Sequence, residues 1–304
     1  MRKAMVTGIA VGVVLACMNG FLWNRETLAS EEERVTKHSL LERDYHEGEK
    51  LTYEMNAKNE GRQYEILADG IVKKDAAGVY FEEFAWSKMT LDGAAVALPP
   101  TSAKFRQKLS LDLNYTMTVP DLSQTSPILV GPITDLLTFY SDLWLAAKTA
   151  KLQRAGDHCY VPLNTPNSWA DGNYVLLGQD SIDFDLTLES VNETDRTALL
   201  VARHVPPKEP KIKIPAEWMR APVADTANNW VEIERKDGKY IAEIGKETFE
   251  ARIKVNLPDG KILSATMDNP VVVLTRECAD VALTNCGEGK QHLIRRQIEL
   301  RLQQ

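Results

Sequence analysis

The feature that most constrains this fold is the alternation of apolar and polar residues that recurs beyond residue 45. In residues 51–58, Leu, Tyr, Met and Ala alternate with Thr, Glu, Asn and Lys, and residues 249–257 show a similar pattern. Successive side chains of a strand point to opposite faces, so a period of two predicts strands with one buried face. Turn sequences such as Asp92-Gly93, Asp237-Gly238 and Pro258-Asp259-Gly260 separate the segments. The pattern predicts a mainly β fold with a large, curved antiparallel sheet.

The predicted strands fall into two sets. The first set comprises residues 51–58, 64–68, 79–89 and 103–113; the second comprises 182–189, 196–204, 231–235, 240–244, 249–257, 262–267, 271–274 and 293–302. Residues 293–302 fit either a strand or a helix face, and we assign a strand because the preceding strands need a partner. Five prolines in residues 206–222 exclude a central strand there and predict an extended excursion.

One segment, residues 131–148, has helical spacing. Gly131-Pro132 is predicted to open it, and Asp135, Thr138 and Asp142 share the side opposite its apolar positions. Its apolar positions are Ile133, Leu136, Leu137, Phe139, Tyr140, Leu143, Trp144, Leu145 and Ala147. This apolar sector is wider than that of an ordinary surface helix, so the curved sheet, in the manner of a half-barrel, should enclose the helix.

Two interpretations of that helix remain open. It is either a core helix alone or the lining of a pocket for an apolar ligand. Two loops add aromatic residues, Trp169 in the first and Trp218 in the second, which either form a recognition rim or pack into the core. The predicted ligand-binding residues are Leu136, Phe139, Tyr140, Leu143, Trp144, Trp169 and Trp218.

The first thirty residues have the character of an export segment. Arg2 and Lys3 precede residues 4–23, which carry no charge. Three outcomes fit: lipidation at Cys17, which follows a lipobox-like Val13-Val14-Leu15-Ala16; cleavage near residues 27–29; or retention as a single membrane anchor. Each outcome places residues 31–304 outside the cytoplasm, in the periplasm or on the outer surface of a bacterial cell, and two of them attach the protein to the membrane.

Composition and length complete the domain prediction. The chain of 304 residues is 44% hydrophobic, as is ordinary for a globular protein, and its net charge of −7 argues against nucleic-acid binding. We predict an export or anchor segment (1–30), a polar spacer (31–45) and a single β-rich domain (46–304), with candidate sub-layers 46–175 and 176–304.

The cysteines predict one covalent cross-link. Cys278 and Cys286 flank a short polar loop and are predicted to form a disulfide in an oxidising compartment, the alternative being two separate buried thiols.

The chain lacks a Gly-x-Ser-x-Gly elbow, a phosphate-binding loop and a His-Glu-x-x-His motif. No ligand spacing for a metal is present, so neither a metal nor another cofactor is predicted, and the lack of catalytic motifs favours a non-enzymatic protein.

One segment carries a family resemblance. Glu47-Gly48-Glu49-Lys50-Leu51-Thr52-Tyr53-Glu54 resembles the first strand of an uncharacterised family of bacterial exported β-rich proteins. Members of that family open with Gly-Glu-x-Leu-x-Tyr and close with a late Asp-Gly hairpin, for which Asp259-Gly260 is the candidate here. The predicted architecture also looks like the half-barrels of periplasmic lipoprotein carriers, which hold acyl chains. That second resemblance is architectural and carries over no site residue.

Three functional hypotheses follow. The first is a non-enzymatic, membrane-associated extracytoplasmic protein that binds a lipid, another apolar ligand or a cell-envelope protein. The second is an envelope hydrolase that acts on glycan or peptide through dispersed carboxylates. The third is a structural interaction module of an envelope complex. Whether the concave side of the sheet is filled or hollow is the observation that best discriminates among them.

Overall fold

The computed structural model of the chain describes residues 39–59, 61–118, 125–170 and 178–303. The export segment with Cys17, and most of the polar spacer, lie outside the described residues. In chain order the strands are β1 (Lys50–Asn59), β2 (Arg62–Lys74), β3 (Tyr80–Leu91), β4 (Ala94–Val96), β5 (Gln107–Leu109), β6 (His158–Val161), β7 (Asn167–Ala170), β8 (Gly178–Asp180), β9 (Asp183–Asn192), β10 (Thr197–Val205), β11 (Trp230–Lys236), β12 (Lys239–Glu247), β13 (Phe249–Asn256), β14 (Ile262–Cys278) and β15 (Lys290–Leu302).

The predicted fold class is confirmed: the strands form one large antiparallel sheet that does not close on itself, and a long apolar helix accompanies it. The helices are α1 (Pro100–Lys104) and α2 (Pro127–Thr149), with a 3-10 turn at Glu217–Arg220. The main path of the sheet runs β4-β3-β2-β1-β15-β14-β12-β11-β8-β7. Strand β15 therefore joins the first strand of the chain to the rest of the sheet.

The sheet branches along β14. The first part of this strand pairs with β13 and the second part pairs with β12, while β15 follows it on the other edge. Beyond β13, the second branch continues through β10 and β9 to β6. We call the branching point, residues 247–249 and 268–270, the fork. The change of partner falls at Pro270, which has no N–H to donate to a neighbouring strand.

The main hydrophobic core lies between α2 and the apolar face of the sheet. Side chains from the first three strands, from α2 and from the branch that contains β13 form one continuous cluster. A second, smaller cluster lies where residues 206–222 cross β11 and β12. The predicted proline-rich excursion is confirmed, since the 3-10 turn is its one regular element within these described residues.

Three boundary predictions are wrong. Helix α2 begins at Pro127 instead of Gly131, so Pro132 lies inside the helix and lacks the N–H that would bond to residue 128. Residues 103–113 are not one strand, because Pro100 starts the short α1 and three residues, Gln107–Leu109, pair with β3. The strands predicted at 262–267 and 271–274 are one strand, since β15 pairs with β14 on both sides of Pro270.

Candidate functional site

Five of the predicted ligand-binding residues lie on α2 and are enclosed in the core. Leu136, Phe139 and Leu143 are 0% exposed, Tyr140 is 1% exposed and Trp144 is 4% exposed. The Tyr140 ring packs edge-on against Phe84 at 5.9 Å, and Nε1 of Trp144 donates to the carbonyl of Asp112 at 3.0 Å. These side chains thus contact the protein's own core, and their role in binding a ligand stays a prediction.

The two tryptophans of the loops have different positions. The backbone of Trp169 lies in β7, but its side chain falls outside the described part of the chain. Trp218 is half-buried in the second cluster, and its Nε1 donates to the carbonyl of Leu283 at 3.0 Å. The guanidinium of Arg276 lies 4.8 Å from the centre of the Trp218 ring. Trp218 therefore packs against its own chain rather than forming a free rim.

The predicted disulfide is confirmed. Cys278 and Cys286 are bonded, and they close the loop between β14 and β15. Such a bond is typical of a chain that folds in an oxidising compartment outside the cytoplasm. Cys159 is a buried free thiol.

The polar side of α2 is also buried, and each of its carboxylates has a partner on the sheet. Asp135 contacts the guanidinium of Arg296 and accepts a hydrogen bond from the Tyr64 hydroxyl. Nη2 of Arg296 also lies 3.4 Å from the carbonyl oxygen of Gly131. Burial raises the pKa of Asp135, and the charge of Arg296 opposes that shift. The pair ties the first turns of α2 to β15.

The second carboxylate of α2, Asp142, faces a histidine. Oδ1 of Asp142 lies 2.8 Å from Nε2 of His204, and both side chains are 0–1% exposed. The imidazole packs between the rings of Phe184 and Phe249. Burial lowers the pKa of His204 and raises the pKa of Asp142. A neutral imidazole that donates from Nε2 to the carboxylate fits these environments.

A third buried polar group joins α2 to the residues before β1. The Tyr140 hydroxyl contacts Glu82, whose other oxygen lies 3.3 Å from Nε of Arg43. Nη2 of Arg43 also donates to Glu49 at 2.7 Å, and Glu49 in turn contacts Lys261 at 2.6 Å. Burial raises the pKa of Glu82, and Arg43 counteracts it. The three buried sets of polar contacts hold α2 against the sheet on several sides.

Buried polar groups at and beside the fork lack part of their hydrogen bonds. Asp180 and Glu247 are both buried, and the charge of Glu247 adds to the effect of burial in disfavouring ionisation of Asp180. Nδ2 of Asn269 donates to Glu247 at 3.1 Å. In the described residues, Oδ2 of Asp180, Oε2 of Glu247 and Nη1 of Arg296 make no hydrogen bond. Burial raises the pKa of Asp180 and brings that of Glu247 to about 7.

A second asparagine connects the strands at the fork. Oδ1 of Asn229 accepts from the backbone N–H of Glu247 at 2.8 Å, and its Nδ2 donates to the carbonyls of Ser181 and Glu247, each at 3.1 Å. Such side-chain bonds replace backbone pairing where the two branches separate. Local sequence does not distinguish Asp180, Glu247 or Asn229 as buried, because a buried carboxyl or amide in a strand has the same sequence signal as a solvated one.

The opposite face of the sheet carries an open polar depression of about 620 Å³. Its polar lining is Asn56, Lys58, Gln63, Glu250, Arg252, Thr266, Asp268, Gln297 and Glu299. These positions alternate with Ala57, Met267 and Ile298, which are buried against the core. We call this surface the polar depression.

The charged groups of the polar depression are largely neutralised by their neighbours. Asp268 contacts Nε and Nη2 of Arg295, each at 2.8 Å, and Arg295 lowers the pKa of Asp268. Glu250 contacts Arg203 at 2.9 Å and Arg252 at 3.2 Å. The depression therefore offers amide and hydroxyl groups among paired charges.

No arrangement in the described part of the chain is suited to a metal, since it contains no group of three or more His, Cys, Asp or Glu side chains that could hold one. The acidic residues of β9 contact other groups instead: Asp183 accepts from the backbone N–H groups of Leu163 and Asn164, and Glu189 contacts Arg252.

The geometry defines an open antiparallel sheet packed on one helix, with a filled interior and a polar outer face. No protein-family model matches the chain, and no curated protein sequence is significantly similar to it.

Proposed function

We propose that this chain is a non-catalytic, membrane-associated extracytoplasmic protein that binds a cell-envelope partner in the polar depression. One observation carries the proposal: α2 fills the apolar side of the sheet with side chains that are almost fully buried, whereas the other side has a depression of about 620 Å³. A volume of that order is typical of ligand sites in proteins. The disulfide supports an extracytoplasmic location, and the uncharged residues 4–23 support attachment to the membrane.

The lining of the polar depression favours a polar and mostly uncharged partner. Asn56, Gln63 and Gln297 provide amides that both donate and accept hydrogen bonds, and Thr266 provides a hydroxyl. The carboxylates are compensated by arginines, so they do not demand a cationic ligand. A glycan strand of the envelope matches this chemistry better than a strongly charged polymer.

The hydrolase hypothesis receives less support from the same surface. Glu250 and Asp268 are directly opposite each other on β13 and β14, so two carboxyl groups do share the depression. Glycoside hydrolysis needs one carboxylic acid with a raised pKa. The pKa of Asp268 is instead lowered by Arg295. The buried acids Asp180 and Glu247 have raised pKa values, but each is only 1% exposed.

An apolar ligand is the second candidate, and the length and composition of α2 favour it. Residues Ile128–Thr149 are long and apolar enough to cross a membrane. However, 72% of the most apolar 18-residue stretch of this helix is buried in the protein. An acyl chain could occupy this region only by replacing contacts that α2 makes. Burial of each large apolar side chain contributes roughly 2 kcal/mol, so helix displacement without such a replacement would be costly.

Binding measurements with two classes of ligand test the proposal. The full chain would be titrated with soluble peptidoglycan fragments, and lipids extracted from the purified protein would be analysed by mass spectrometry. We expect glycan binding that weakens at least tenfold in Lys58→Ala/Gln297→Ala, and no stoichiometric lipid. Lys254→Ala, which changes an exposed residue of β13 outside the depression, is the matched control. Stoichiometric lipid together with unchanged glycan titrations in the double variant would refute the proposal.

Attachment to the membrane has a separate test. Cell fractionation after labelling with a palmitate analogue should place the protein in the membrane fraction. Loss of label in Cys17→Ser would assign lipidation, whereas unlabelled membrane-bound protein would assign retention of the anchor. Recovery of the unmodified chain entirely in the soluble extracytoplasmic fraction would remove membrane association from the proposal.

A further inference from the structure

The proline-rich residues 206–222, which we call the strap, cross the outer face of β11 and β12. Ala216 and Met219 of the strap pack on Val231, Ile233, Ala242 and Ile244 of those two strands. Cys278 and Leu283 belong to the same buried cluster, with Cys286 packed against it. The strap therefore lies against the sheet on one side and against the disulfide loop on the other.

The two halves of the strap are held by different groups. In the first half, the N–H groups of Lys211 and Lys213 donate to the side chains of Ser181 and Gln179, at 3.3 and 2.8 Å. In the second half, Trp218 donates to the carbonyl of Leu283 in the disulfide loop, and Nδ2 of Asn228 donates to the carbonyls of Met219 and Ala221, at 3.0 and 2.8 Å. The hydrogen bond to the disulfide loop thus belongs to the second half of the strap.

The position of Leu283 depends in turn on the closed loop. Its side chain is 1% exposed and its backbone has φ 56°, a conformation that an L-residue adopts at a cost. The loop has backbone bonds of its own, such as Ala279 N–H to Asn285 at 2.9 Å, and the carboxylate of Asp280 accepts from the N–H of Thr284 at 3.0 Å. The disulfide adds a covalent constraint on the same nine-residue segment, whose ends are Cys278 and Cys286.

We propose that the Cys278–Cys286 disulfide is a redox-controlled latch for the second half of the strap. Cys286 is the more accessible partner, since it is half-buried whereas Cys278 is 0% exposed. A thiolate of an external dithiol attacks Sγ of Cys286, the sulfur–sulfur bond breaks, and Cys278 leaves as a thiolate. The second thiol of the reductant then releases Cys286 and forms the reductant's own disulfide. Two electrons and two protons pass to the protein, which then carries two thiols.

Reduction removes the loop closure but leaves the contacts of the first half of the strap in place. The leucine carbonyl that accepts from Trp218 is then held only by the hydrogen bonds of the loop itself, and residues 214–222, which Asn228 still binds, open more readily from the apolar face of β11 and β12. For a loop of this size the entropy of closure corresponds to roughly 50-fold in an equilibrium constant, which is an upper limit for the effect of reduction on opening of the strap. The latch controls access to an apolar sheet face that is distinct from the polar depression.

Hydrogen exchange of the oxidised and reduced full chain tests the latch. After reduction by a soluble dithiol, we expect exchange of the Trp218 indole N–H and of the amides in 214–222 to accelerate, by at most about 50-fold. The amides of Lys211 and Lys213, and those of β13, should exchange at unchanged rates. Equal protection of residues 214–222 in both redox states would overturn the proposal, and so would a uniform acceleration that includes β13, because that would report global unfolding.

Two variants keep the test independent of the reductant. Cys278→Ser/Cys286→Ser should reproduce the exchange of the reduced chain and should not respond to dithiol. Trp218→Phe keeps an aromatic ring but removes the donor to Leu283, so it should accelerate exchange of 214–222 with the disulfide intact. If Trp218→Phe left exchange unchanged while reduction still released the strap, the anchoring role of Trp218 would be wrong. If the serine variant failed to fold, reduction of the folded wild-type chain would decide the question.

Discussion

Asp142 of α2 and His204 of β10 form a buried pair, with 2.8 Å between Oδ1 and Nε2. The pair lies on the side of α2 that a helical projection marks as polar, yet Asp135, Thr138 and Asp142 are all 0% exposed. The helix is thus surrounded by protein, and its polar residues hold it in one rotation and register. Buried polar pairs of this kind contribute to specificity more than to net stability.

The His204 pair predicts an acid-sensitive contribution to stability. Because burial lowers the pKa of His204, the unfolded chain takes up this proton at a higher pH than the folded chain. This contribution is fully present above the ordinary pKa of about 6.5 and is lost as the pH falls below it. Between pH 7.5 and 5.5, the unfolding free energy of His204→Gln, as measured by urea denaturation, should therefore fall less than that of the wild type.

His292 provides the control for that experiment, since its side chain is exposed. His292→Gln should leave the slope close to that of the wild type. Parallel pH profiles for wild type and His204→Gln would show that the buried imidazole does not set the acid sensitivity.

The fork predicts the opposite pH dependence. Glu247 has a pKa of about 7 in the folded protein against about 4.5 when unfolded, so its ionisation destabilises the fold as the pH rises through this interval. The cost above pH 7 is about 3 kcal/mol, at 1.36 kcal/mol per pH unit. Glu247→Gln should raise the unfolding free energy at pH 8 by an amount of this order and leave it nearly unchanged at pH 4.5. The exposed Glu65→Gln on β2 should change neither value, and a less stable Glu247→Gln at pH 8 would contradict the prediction.

Arg43 and Glu82 predict a non-additive pair of substitutions. Arg43→Met leaves the buried Glu82 without its cation and should lower the unfolding free energy by about 3–5 kcal/mol. Adding Glu82→Gln removes the uncompensated charge, so the double variant should be more stable than Arg43→Met alone. A double-mutant cycle in guanidinium chloride measures the coupling. Additive effects would mean that the two side chains do not interact, and Arg301→Met is the exposed control.

Substitution of Gly260 by alanine should destabilise the protein through a steric clash. The same substitution at a second glycine with positive φ controls for backbone strain. Both Gly260 and Gly93 have positive φ, 70° and 79°, so an alanine is strained at either position. A Cβ at Gly260 would also lie 2.4 Å from the carbonyl oxygen of Glu42, whereas a Cβ at Gly93 meets nothing within 4 Å. Gly260→Ala should therefore lower the melting temperature several degrees more than Gly93→Ala. Equal shifts would mean that residues 42–43 do not pack tightly on this turn.

Much of the fold follows from periodicity. Alternation predicts strands around residues 51–58, 182–189 and 249–257, because one face of each strand is buried and the other faces solvent. The structure has β1, β9 and β13 at these places. The hairpin of β11 and β12 follows from Asp237-Gly238, where both residues have positive φ. Periodicity reports burial, so it finds strands that have two different faces.

The fork and the buried polar contacts could not be found in this way. Asp268-Asn269-Pro270 has the composition of a turn, and only the pairing of β14 with β15 on both sides shows that the chain continues straight. Asp135 and Asp142 have the sequence signal of a solvated helix face, because their partners Arg296 and His204 are distant in the chain. Pairing between distant residues has no local signature, so the candidate site was the part least accessible to prediction.

The placement of β15 between β1 and β14 has a consequence for how the molecule is assembled. The opening meander can form hairpins early, but its attachment to the remaining strands must wait for residues 290–302. Contacts that span so much of the chain slow folding and delay its completion. A truncation before residue 290 would therefore remove the shared partner of β1 and β14, and both strands would then expose an unpaired edge that favours aggregation.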